Sequence, residues 1–182
     1  MVIIAIVAGF AIISLNVIGR DPPAKRAAEQ LADLTGLAAE QAIMQGQEYG
    51  LRIEAHGYSF YTYDGRKWSP VQSDNLFYRR DLGDEVTLAL QLEGTPATLA
   101  PPLATVEDPS SATAASASDS DSGSTESKDL PQVLLLSSGE LPPFEIEVTG
   151  SASGSVYTVK GTLADGITVV APEDAQAAKS PP

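Results

Sequence analysis

The sequence predicts an α+β protein: an apolar, membrane-crossing N-terminal helix continues into an amphipathic helix packed on an antiparallel β-sheet or sandwich. Three observations predict it. Residues 1–19 carry no charged side chain, and Arg20 is the first. Apolar residues then recur at helical spacing through residues 24–50. Beyond Gly50 the apolar period changes from helical to two, the mark of half-buried strands.

The first 19 residues, MVIIAIVAGFAIISLNVIG, sit at the short end of the roughly 20 apolar residues a span needs. A secretory signal would open with a basic region and close on a small-residue cleavage site. Nothing basic precedes this run and no A-x-A pattern ends it. A membrane span is therefore the reading. Arg20, Lys25 and Arg26 follow the run, so the positive-inside rule applied to these flanks alone would leave the larger part of the chain in the cytoplasm.

Pro22-Pro23 is expected to punctuate the end of the span, because proline lacks the N–H that a helix interior uses. In residues 24–50, Ala27, Leu31, Leu34, Ala38 and Ala42 draw one apolar stripe. Arg26, Glu29, Gln30, Asp33, Glu40 and Gln47 occupy the other faces. Gly46 and Gly50 are expected to fray and stop this helix.

LRIEA (51–55), a His56-Gly57 turn and YSFYTYD (58–64) read as a hairpin. KWSPV, LFYRR (76–80) and EVTLALQLE (85–93) follow as strands. In the last, Val86, Leu88, Leu90 and Leu92 share one face while Glu85, Thr87, Gln91 and Glu93 share the other. Residues 109–128 contain no Val, Ile, Leu, Met or aromatic residue. Such a stretch cannot bury enough apolar surface to offset its ordering entropy and reads as disordered. Strand patterning returns in QVLLLSS (132–138), FEIEVTG (144–150), SVYTVKG (155–161) and GITVVA (166–171).

Four short strands would be a marginal unit alone, and the first block has too few strands to cover its helix. The expectation is one domain over 24–172, interrupted by a disordered insertion at about 95–129 and followed by a loose tail, 173–182.

Composition excludes several functions. Across 182 residues, 24 Asp and Glu stand against 11 Lys and Arg, a net charge of −13. Residues 81–182 hold sixteen acidic and three basic side chains, and the earlier part is neutral. Phosphate-backbone binding needs clustered Lys and Arg, so nucleic acid is excluded as a partner. With no Cys there are no disulfides, thiol catalysis or Cys-based zinc sites.

His56 is the single histidine; with no nucleophile or carboxylate motif beside it, it reads as a turn residue. Asp81-Asp84-Glu85 and Asp119-Asp121 lack the ligand spacing of an EF-hand. No phosphate-cradling glycine loop occurs. No catalytic, cofactor-binding or metal residue is therefore assigned. Tyr58, Phe60, Tyr61, Tyr63, Trp68, Phe77 and Tyr78 lie close in sequence; alternation assigns at least Tyr58 and Phe60 to a sheet core rather than to a binding face.

Three stretches resemble one family. IIAIVAGFAIISL is similar to the later half of a pilin-type apolar helix. LAAEQAIMQGQEYGLRIEAHGYSFYTYDGRKWSPV, with Trp68, resembles a helix end, first hairpin and Trp turn. LLLSSGELPPFEIEV, with Ser138-Gly139-Glu140 and Pro143-Phe144, resembles a late strand pair. The chain resembles the minor pseudopilins of the GspH type from type II secretion systems, in the pilin-like superfamily that also holds FimT-like minor pilins.

That resemblance implies a non-enzymatic structural subunit of the secretion pseudopilus, assembling near the filament tip. The partners it implies are the other minor pseudopilins (types I, J and K) and the major one. A FimT-like minor pilin of a type IV pilus, or a membrane-tethered periplasmic binding module, are the alternatives.

The family's leader ends in Gly before an N-methylated Phe, with Glu four residues on. Here Gly9-Phe10 has no basic residue before it, and Ser14 holds the Glu position. The expectation is of a late-start chain whose short basic leader and roughly two helical turns lie upstream. Prepilin peptidase would act on that leader. Its charge would set the topology: single-pass in the inner membrane, with the β domain in the periplasm.

Overall fold

The computed structural model describes residues 22–71, 76–102, 130–152 and 154–172. The predicted span 1–19, the tail 173–182 and most of the insertion lie outside them, and among the described residues no helix is long and apolar enough to cross a membrane.

Helix α1 (Pro22–Gln45) carries the predicted stripe: Ala27, Leu31, Leu34, Ala38 and Ala42 are all buried, joined by Ala24, Ala28 and Ala32. The buried Thr35 hydroxyl donates to the Leu31 carbonyl at 2.6 Å, which removes the cost of enclosing it. Two expectations are corrected here. Pro22 and Pro23 lie within the helix rather than outside it, because a first turn has no use for their missing N–H. The helix also ends at Gln45, five residues earlier than predicted. Gly46 takes φ +61° and the Gln47 N–H closes back on the Ala42 carbonyl at 3.1 Å, a glycine-dependent C-terminal cap.

Among the described residues ten strands follow: β1 (Tyr49–Glu54), β2 (Gly57–Tyr63), β3 (Trp68–Pro70), β4 (Arg80–Asp81), β5 (Val86–Leu92), β6 (Thr95–Pro96), β7 (Val133–Leu135), β8 (Phe144–Gly150), β9 (Val156–Thr162) and β10 (Gly166–Val170). One sheet has the order β3-β2-β1-β7, with β4 also on β2; the other runs β10-β9-β8-β5-β6. All pairings within them are antiparallel. Both sheets combine strands from before and after residues 103–129: β7 joins β1, and β8 lies between β5 and β9. The sheets meet where the Leu88 N–H donates to the Ala55 carbonyl at 2.8 Å. Helix α1 packs on both, and their inner faces share one hydrophobic core with it.

The second sheet follows the period-two rule closely. Phe144, Ile146 and Val148 of β8 and Tyr157 and Val159 of β9 are buried, while alternate residues are half-exposed. The β5–β6 turn is Glu93-Gly94, with φ of +50° and +76°, the left-handed pair that a two-residue hairpin favours.

In the first sheet the predictions need adjustment. The hairpin turn is Ala55-His56, and Gly57 already belongs to β2. The predicted strand 76–80 reduces to Arg80–Asp81. The edge of β2 beyond Tyr61 is occupied by β3, leaving only Gly57–Tyr58 for β4. Phe77 turns inward onto Phe60 instead, with ring centroids 5.1 Å apart.

Residues 95–102, expected in the disordered insertion, contain β6 and a parallel bridge from Ala100 to Glu54. The predicted strand 132–138 shortens to β7. At its start, the Gln132 side-chain amide takes the place of backbone by donating to the Ile53 carbonyl (3.1 Å) and accepting from the Ile53 N–H (2.9 Å). At its end, the Leu136 carbonyl accepts from the Gly139 N–H at 3.0 Å, turning the chain away.

Candidate interaction surface

Chemistry-bearing residues are mostly consumed by the fold. The His56 ring, in its turn, donates from Nδ1 to the Val86 carbonyl at 3.0 Å; it joins the two sheets. Asp81 accepts from the Gly83 N–H at 2.8 Å, and Asp84 and Glu85 are exposed turn residues. Asp119 and Asp121 lie outside the described residues. No cluster of three His, Asp or Glu able to hold a metal occurs among the described residues.

The aromatic cluster divides. Tyr58, Phe60, Tyr61 and Phe77 are buried. Tyr58 meets Phe60 edge-on at 6.0 Å, and Tyr49 meets Phe77 at 6.0 Å. Burial raises the Tyr58 phenol to about 12, with Arg80 opposing and Tyr78 adding to the shift. Tyr63 and Trp68 pair at 5.2 Å, half-buried. Tyr78 alone is well exposed, with the Arg80 guanidinium 4.3 Å above its ring.

A buried charged cluster escaped the sequence reading. Alternation sends Arg52 and Glu54 to the face of β1 away from Leu51 and Ile53, yet both are under 3% exposed. The Arg52 Nη1 bonds Glu54 Oε1, and the Arg79 Nη2 reaches Glu54 Oε2 at 2.8 Å. The Arg52 Nη2 donates to the Pro101 carbonyl at 2.6 Å. Pairing opposite charges in this way is what makes their burial tolerable. The available signal was two opposite charges at i and i+2 on one strand; the cover from residues 100–101 and Arg79 was not legible.

A cleft of about 350 Å³ lies between the outer side of α1 and the β9–β10 hairpin. Gly36 and Ala39 of α1 form its low side, and Leu135, Leu136, Leu141, Leu163 and Ile167 the opposite wall. It continues along α1 past Ala32, Leu37 and Val169. The Ser137–Gly139 turn closes one end; Glu48 accepts from the Ser137 N–H (2.7 Å) and hydroxyl (2.6 Å) and holds it there. A Cβ on Gly139 would stand 3.5 Å from Ile43 Cδ1, so that turn and the end of α1 are in contact range. Asp33, Glu40 and Glu140 are the charged side chains among the described residues that line the cleft, and none of those lining residues is Lys, Arg or His.

Residues 27–164 match the family described as Type II transport protein GspH. The chain is also 32% identical to the Type II secretion system protein H of Pseudomonas aeruginosa over 150 residues, covering 81% of this chain and 76% of that protein. The chain belongs to the GspH family. A second GspH-family relative, the Type II secretion system protein H of Aeromonas hydrophila, is 32% identical over 114 residues, 62% of this chain and 54% of that protein.

Among solved structures, the minor pseudopilin EpsH from the Type 2 Secretion System of Vibrio cholerae has the same fold. It superposes with a TM-score of 0.59 at 22% identity, over 82% of this chain and 96% of that one. E. coli GspH superposes with a TM-score of 0.54 at 17% identity, over 87% and 97% of the two chains. The residues that first suggested the GspH family have definite structural work. Gly139 and Glu140 of the Ser138-Gly139-Glu140 stretch line the cleft, and Phe144 opens β8.

Proposed function

We propose that this chain is a minor pseudopilin of a type II secretion system, a structural subunit that joins a short periplasmic filament and supports protein export. Family membership carries the reading. The architecture supports it: one long helix lies along two sheets that bury its whole apolar stripe. The sheets would then form one periplasmic domain over residues 24–172. The apolar residues 1–19 would anchor it in the inner membrane after a leader is removed by prepilin peptidase. Its partners would be the other minor pseudopilins and the major one, close to the filament tip.

Deleting the gene is the direct test. Export of type II substrates into the medium is expected to fall and to return when the gene is restored in trans. Unimpaired export overturns the proposal, and loss of surface pili with intact export would favour a FimT-like pilin instead.

A further inference from the structure

We propose that the cleft beside α1 seats an amphipathic helix of a neighbouring pseudopilin, apolar on its inserted face and bearing Lys or Arg where it crosses the rim. This rests on the secretion-filament reading above and names the surface and the chemistry of one contact.

The apolar part of the argument is exposure. Met44, Leu163 and Ile43 are the three most exposed large apolar side chains among the described residues, at 71%, 70% and 56%. Ile43 and Leu163 face the cleft from opposite sides, and Met44 follows Ile43. Scattered apolar residues are ordinary, whereas apolar residues gathered around a concavity mark a contact. Leu37, Leu136, Leu141, Ile167 and Val169 are only partly covered behind them.

The shape fits a helix. From Ala32 to Ile43 the cleft follows α1 over twelve residues, a rise of about 16 Å, or three helical turns. Along it α1 presents Ala32, Gly36 and Ala39, and nothing lies within 4 Å of where a Gly36 Cβ would stand. Small residues on one helix leave room for a ridge of the other. The walls are side chains, which suit anchors spaced i, i+3 or i+4, i+7.

Charge then selects the partner. Glu40 and Glu140 are exposed on the rim with no Lys or Arg among the described lining residues, whereas Asp33, also exposed, borders a further depression lined by Arg26 and Arg80. An incoming acidic helix would be repelled and a basic one drawn in.

The chain has no cysteine, so Leu163→Cys gives a unique attachment point for a photo-crosslinker. The full-length chain in detergent micelles would be mixed with each purified pseudopilin of the same machine. One of them is expected to crosslink through an apolar helix flanked by Lys or Arg. Ile43→Glu, and separately Glu40→Lys combined with Glu140→Lys, should weaken that complex at least tenfold. Acidic replacements of the partner's flanking cations should restore binding to the charge-reversed chain. Leu130→Glu, exposed but outside the cleft, should bind as the parent does.

The outcomes separate the two readings. If the parent chain binds none of the pseudopilins, the filament reading fails and takes this proposal with it. If the parent binds but the cleft variants bind equally well, only the cleft assignment is overturned. A crosslink to this chain's own residues 173–182, or to a second copy of the chain, also overturns it.

Discussion

Phe144 lies with its ring across Gly161, its cross-strand partner: a Cβ on that glycine would stand 2.1 Å from the Phe144 Cε1. Phe144 is 2% exposed, so its ring has nowhere to retreat. Gly161→Ala should therefore destabilise the domain by about 1–3 kcal/mol, the usual cost of overpacking a core. Combining it with Phe144→Leu should recover part of the loss. Melting temperatures of the two single variants and the double variant give the coupling directly.

The Glu54 carboxylate holds two guanidinium groups. Glu54→Gln is expected to cost about 3–5 kcal/mol, because it leaves buried positive charge without its counter-ion. Arg79→Gln should cost less, since Arg79 is 28% exposed and Arg52 still pairs with Glu54. Urea unfolding of both variants tests the order; equal losses would contradict the unequal burial.

Two groups make opposite pH predictions. Asp64 accepts the backbone N–H of Lys67 and of Arg66, both at 2.9 Å, and these bonds hold its carboxyl below the ordinary 3.8. Its contribution is present above that unfolded value and is lost as pH falls through the lower folded value. Asp64→Asn should flatten the acid limb of the stability curve. Tyr58 is raised from 10.0 to about 12, chiefly by burial. Its neutral form is favoured in the fold, so stability should decline as pH climbs from about 10 towards 12. Ultraviolet titration of the phenol, compared with Tyr58→Phe, follows that step.

The insertion should be separable from its base. Deleting residues 109–128, a stretch without any large apolar residue, is expected to leave the melting temperature nearly unchanged. Gln132→Ala takes away the acceptor of the Ile53 N–H, while the Ile53 carbonyl keeps the Ala100 N–H, and should cost about 1–3 kcal/mol. Calorimetry on the two variants suffices, and a large loss from the deletion would mean that this stretch contributes to the core.

What was legible in the sequence follows from which faces are buried. Strands β5, β8 and β9 were found almost to the residue, because one face of each lies in the core and alternation records it. The α1 stripe was visible for the same reason. Strand β1 is buried on both faces, so alternation gives no sign that Arg52 and Glu54 are enclosed. The 76–80 segment has strand-like composition but only two β2 residues left to pair with. The cleft was not readable at all: Ile43 and Leu163 are 120 residues apart, and only the docking of the β9–β10 hairpin beside α1 sets them across one gap.

Both roots of the insertion converge on one atom: the Ala100 N–H and the Gln132 side chain each donate to the Ile53 carbonyl, at 2.9 and 3.1 Å. Since entry and exit are fastened at a common point, the number of codons between 102 and 130 does not enter the register of any strand. Lineages can lengthen, shorten or recharge that stretch without retuning the sheets. For the experimenter it is a splice port, where an epitope or a fluorescent reporter can be carried into the assembled machine.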